Sequence, residues 1–268
     1  MKKPSEEARR RYIDYIKDYK SAIDAALDRE KKVREEIAAG VEGASFKRLA
    51  LADDNLNLVA QFLLMNSLSL SFLGVKNEVY LNEGRKCIYK ALIALEEILS
   101  PLIDAPFSDY EQGLETIATL SDEDKYNLVR KLGFTIDSLV EGYGENSKWK
   151  WSFVELEGRF AVVAKNLLNL KTFVAGMDPR IEGFSSRMAH LGLARELLQQ
   201  AADRYREKYE LSTMRIDDIK AGINFLAAVR RLHIVLGESE QADVVKKKAD
   251  IWRTKMENDL KKAETPKR

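Results

Sequence analysis

Two histidines and one cysteine are all that 268 residues offer to thiolate or imidazole chemistry. Neither His190 nor His233 has a glutamate three residues before it, so the Glu-x-x-His pairs that hold di-iron centres in four-helix bundles are missing. Zinc sites of the common kinds are excluded unless subunits share them. His190 falls between the apolar positions Met188 and Leu191 on the outward side of a helical stripe, which predicts a solvated imidazole. His233 lies near an apolar stripe. No Ser, Cys or carboxylate stands at a spacing that would orient it as a base, so a satisfied, partly buried histidine is expected. Cys87 sits among apolar neighbours and reads as a small core filler. There is no Gly-x-x-x-x-Gly-Lys loop, and Gly142-Tyr143-Gly144 lacks both a third glycine and a preceding strand. No catalytic, cofactor-binding or metal-ligating residue follows from these patterns, and no cofactor is expected.

Three surface features point instead to binding. Tyr143, Lys148, Trp149, Lys150 and Trp151 gather aromatic and basic side chains beside the glycine-containing turn 142–147. Trp149 belongs to an apolar stripe, whereas Trp151 points about 200° away around the helix and needs a second partner. Tyr143, Lys148, Lys150 and Trp151 are therefore the candidate protein-binding residues. Between 104 and 124 stand seven acids, Asp104 to Asp124, with no Lys or Arg among them. They form either a solvated face or a face for a basic partner. Lys246, Lys247, Lys248, Arg253, Lys255, Lys261 and Lys262 make the last helix basic, as Arg9, Arg10 and Arg11 make the first, with Asp250, Glu257 and Asp259 interleaved. The whole chain carries 44 Lys+Arg against 43 Asp+Glu, a net charge of +1. That balance supplies little counterion release, so nucleic acid and anionic membranes are not expected partners.

The elements that must position these residues are helices. Trp149, Phe153, Leu156, Phe160, Val163, Leu167, Leu170 and Val174 recur four and three apart. So do Met177, Ile181, Phe184, Met188, Leu191, Arg195, Leu198, Ala202, Tyr205 and Tyr209, with one charge, and Tyr12, Ile16, Tyr19, Ile23, Ala26, Glu30, Val33 and Ile37. Such stripes bury themselves only when long helices lie side by side. Caps and breakers predict a first helix from Ser5 to about residue 39, a second over about 45–73 and a third over about 77–99. Pro101 and Pro106 open an acidic connector in which Ser108-Asp109-Tyr110-Glu111 reads as a capping box for a short helix, and Ser121 as the cap of the next. A helix over about 148–175 is expected, then Asp178-Pro179 starting a helix to about 211, then helices over about 214–236 and 239–262. The tail 265–268 is expected to fray. The fold class is all-α, a bundle or short solenoid of seven to eight long, mainly antiparallel helices. Its organisation reads as an N-terminal bundle over 1–100, a connector over 101–147 and a C-terminal segment over 148–268.

Residues 55–75 run without a charge and match a membrane span in length. Asn55, Asn57, Gln61, Asn66, Ser67, Ser69 and Ser71 interrupt the run, which favours a helix buried on most sides at the centre of the bundle. The charged N-terminal sequence has no apolar core of a signal peptide, and the single cysteine fits a reducing compartment, so a cytoplasmic address is expected.

Leu236-Gly237-Glu238-Ser239-Glu240-Gln241-Ala242, with Ala249 seven residues on, resembles the tetratricopeptide repeat over one repeat length, about 223–256. Leu226 stands where that family has its first large apolar residue. Arg230, His233, Lys246 and Thr254 depart from the pattern, where a small residue, a tyrosine, an aromatic and a proline are usual. The resemblance implies peptide or protein binding on a concave helical surface, without catalysis. The expectation is a non-enzymatic scaffold or adaptor that binds other proteins, or itself, through helix grooves. The alternative is a helical bundle enclosing a small apolar ligand or lipid, whose cavity the polar residues of 55–75 would line.

Overall fold

The structure is a computed structural model that describes residues 4–144 and 147–264. Glu145 and Asn146, at the centre of the expected turn, and the tail 265–268 lie outside the described residues. Among the described residues there are ten α-helices and no strand, so the chain is all-α. The helices are α1 (Glu6–Ala38), α2 (Ala44–Leu73), α3 (Glu78–Glu96), α4 (Glu111–Thr116) and α5 (Asp122–Tyr143). They continue as α6 (Lys150–Asn166), α7 (Leu170–Phe173), α8 (Phe184–Lys208), α9 (Ile216–Val235) and α10 (Ser239–Glu264).

The caps explain most boundaries. Ser5 Oγ accepts the Ala8 amide at 3.1 Å to open α1, and Asn77 Oδ1 accepts the Val79 and Tyr80 amides to open α3. Ser121 and Asp124 close a reciprocal box at the start of α5, each side chain accepting the other's backbone N–H. Two expected boundaries move. The helix expected over 148–175 ends at Asn166, because the Asn166 amide donates to Ser100 O at 2.8 Å and Asn169 caps a new short helix by accepting from Lys171 and Thr172. Asp178-Pro179 does not start α8. Asp178 turns its carboxylate onto the Arg180 amide at 3.0 Å, and the chain around it winds about Arg187, which donates to the carbonyls of Gly176 and Glu182 and to Asp122. The helix begins only after Gly183.

The chain divides into two compact units: residues 1–98 with 130–149, and residues 99–129 with 150–268. The connector expected over 101–147 is thus shared between them at residue 129/130, within α5.

In the first unit, α2 packs against both α1 and α3. Glu30, buried on α1, accepts from Arg34 at 2.8 Å and from Lys90 of α3 at 3.0 Å, and the hydroxyls of Tyr12 and Tyr80 meet at 3.0 Å. Burial works to raise the Glu30 carboxyl, but the hydrogen bonds from Lys90 and Arg34 outweigh it and leave it below its usual value. At Gly84 a Cβ would lie 3.3 Å from Leu139 and 3.6 Å from Val59, so α2, α3 and α5 close around that hydrogen. By length and composition α2 passes for a membrane span, yet it is less enclosed than its sequence suggests. Only 39% of its apolar window is buried, with Leu64 47% and Leu70 53% exposed. Three of its buried polar residues bond the backbone: Asn55 donates to Leu51 O, Asn66 accepts the Asn77 amide and Ser69 donates to Val75 O, while Asn55 Oδ1 is buried without a hydrogen-bond partner.

In the second unit, α8 packs against α6 and α9, and α9 against α8 and α10, so these helices stack in order. Close approach depends on small residues. A Cβ at Gly158 of α6 would lie 2.8 Å from the Tyr205 ring and 3.1 Å from Phe225, which stack on each other at 5.5 Å. The connector's acids serve this unit. Asp104 takes a bidentate pair of bonds from Arg231 at 2.7 and 3.0 Å, Glu111 pairs with Lys171 at 2.6 Å, and Asp122 with Arg187 at 2.6 Å. Three of the seven acids of 104–124 are thus paired with bases of α7, α8 and α9.

Candidate functional site

The residues that the sequence groups around 143–151 fall in two units. Tyr143 is buried, its hydroxyl donating to Asn82 Oδ1 at 2.8 Å, its carbonyl accepting from Lys76 at 3.0 Å and its ring edge-on to Trp149. Arg85 lies 4.1 Å over the Trp149 ring and Lys148 pairs with Glu78 at 3.1 Å. Tyr143 and Lys148 therefore serve the interior and rim of the first unit. Lys150 and Trp151 open α6 in the second unit, the ammonium 5.1 Å from the half-buried indole.

The second unit holds a constellation that the sequence reading missed. The last turn of α9 closes with the Gly237 amide on Ile234 O at 3.1 Å and the Glu238 amide on His233 O at 2.9 Å. This six-residue cap requires a left-handed residue at its fifth place, and Gly237 supplies φ 74° without a Cβ to resist it. The reversal brings the Glu238 side chain back over the turn it has just left. Its Oε2 accepts from His233 Nδ1 at 2.6 Å and from Arg195 of α8 at 2.6 Å. Burial works to raise the Glu238 carboxyl, and the bonds from Arg195 and His233 outweigh it, so the group stays ionised below its usual range. A carboxylate holding the Nδ1 proton is how an imidazole is oriented for acid–base work. Among the described residues no hydroxyl or thiol bonds to this histidine, and the three side chains tie α8 to the turn between α9 and α10. The missed signal was that a carboxylate five positions on reaches its histidine when a glycine turn lies between them.

His190 is 2% exposed, which corrects the solvated reading. Counting from Met177 and Ile181 set the stripe's register with residues that precede α8. The buried face also includes Ala194 and Ala201, small enough to admit the imidazole beside α6. Its Nε2–H donates to Ala164 O at 2.8 Å, where Leu168 N has turned to Lys165 O instead. Desolvation drives the His190 pKa down from 6.5 to about 4, against that hydrogen bond.

Lys165, on the same turn of α6, is 1% exposed. Its ammonium meets Ala105 O at 3.4 Å and lies 5.4 Å over the Tyr110 ring. Burial lowers its pKa from 10.5 to about 8, with Asp104 pulling the other way and Arg231 adding to the fall. An amine of that basicity would be a competent nucleophile in a pocket. Here it is sealed in the core under the segment 99–110. Cys87 is buried, as expected, and burial raises its thiol to about 11. Among the described residues no three His, Cys, Asp or Glu side chains stand where they could hold a metal.

Fold and site together define an all-α protein in which Glu30 is tied to Lys90 and Glu238 to His233 and Arg195. The chain belongs to the TP0443 family, whose model matches residues 8–260. No curated protein and no solved structure matches it.

Proposed function

We propose that this chain is a non-enzymatic helical scaffold that binds other proteins through the outer faces of its helices. The observation that carries the reading is the apolar surface left outside the stacked helices of the second unit: Val244 and Ile251, one helical stripe of α10, are 66% and 69% exposed. The resemblance of 223–256 to the tetratricopeptide repeat points the same way, since helix pairs of that family bind peptides and proteins. The engagement of His233, Glu238 and Arg195 with one another fits a structural use of the groups best suited to catalysis. An enclosed apolar ligand draws less support, because Asn55, Asn66 and Ser69 of α2, three of the polar residues that would line its cavity, bond the backbone.

The test is lysine-directed crosslinking of the native protein in the cells that make it, read by mass spectrometry. The reading expects links to a polypeptide that concentrate on α10 or on Lys148 and Lys150. Links scattered evenly over all exposed lysines, at the density of random collision, would overturn it.

A further inference from the structure

We draw no further inference here: the strongest candidate, the surface hollow on α1 lined by Asp14, Tyr15, Asp18 and Tyr19, is a pair of acids and a pair of phenols on one helix, and nothing in the structure shows what covers it.

Discussion

Arg195 and Glu238 lie 43 positions apart and meet at 2.6 Å, the guanidinium from the middle of α8 reaching the carboxylate that α9 delivers through its closing turn. Arg195 is the one charge in an otherwise apolar stripe, and its partner also holds the Nδ1 proton of His233. Three helices are thereby referenced to one oxygen atom.

Replacing that carboxylate should therefore loosen the stack without unfolding it. Glu238→Ala leaves a largely buried guanidinium and an unoriented imidazole, a loss of about 1–3 kcal/mol by the cost of unpaired buried polar groups. Urea unfolding reads the loss. Nitrogen-15 spectra of the His233 ring should show the proton on Nδ1 in the parent and a mixture of tautomers in the variant.

His190 makes the fold acid-sensitive. Its folded pKa of about 4 lies below the ordinary 6.5, so between those values the unfolded chain takes up a proton that the folded chain refuses. Its contribution is present above pH 6.5 and is lost as pH falls through 4, by up to about 3 kcal/mol. Stability measured from pH 7 to 4 should fall more steeply for the parent than for His190→Phe, which has no proton to gain. Parallel profiles would remove His190 as a cause.

Lys165 acts at the other end of the scale. Its folded pKa of about 8 lies below 10.5, so its contribution is present above pH 10.5 and lost as pH falls through 8. Stability should therefore rise with pH across that window relative to Lys165→Met. At pH 7, where the parent buries a charge, Lys165→Met should be as stable as the parent or more stable by about 1–3 kcal/mol. Equal stability differences at pH 7 and pH 10 would contradict the burial account.

Gly158→Leu probes the closest approach in the second unit. The site already brings Tyr205 and Phe225 to 2.8 and 3.1 Å of a Cβ, so a leucine must displace stacked rings. A loss of about 1–3 kcal/mol is expected despite the better helix propensity of leucine. Calorimetry decides it, and an unchanged melting temperature would mean that the rings have room to move.

The all-α class and the ends of α1, α2, α9 and α10 were legible because caps, glycines and apolar spacing all act within a few residues of the boundary they set. What failed was non-local. Asn166 ends its helix by bonding Ser100, and Arg187 organises the turn that denies Asp178-Pro179 its helix, and neither partner can be read from the neighbouring sequence. The acidic connector was visible as charge, whereas its pairing with Lys171, Arg187 and Arg231 needed the tertiary fold. The most useful signals were the exceptions in the stripes. Glu30 and Arg195 each interrupt an apolar series, and each marks an ion pair, Glu30 with Lys90 of α3 and Arg195 with Glu238 in the turn between α9 and α10. Of the residues grouped around 143–151, Tyr143 looked available because a glycine turn follows it, yet its hydroxyl is spent on Asn82.

Native mass spectrometry of the freshly purified chain bears most directly on the scaffold reading. The account predicts masses equal to one or two chains, or to a chain with a second polypeptide, and no stoichiometric small molecule. A small apolar compound or a lipid bound one to one would contradict it.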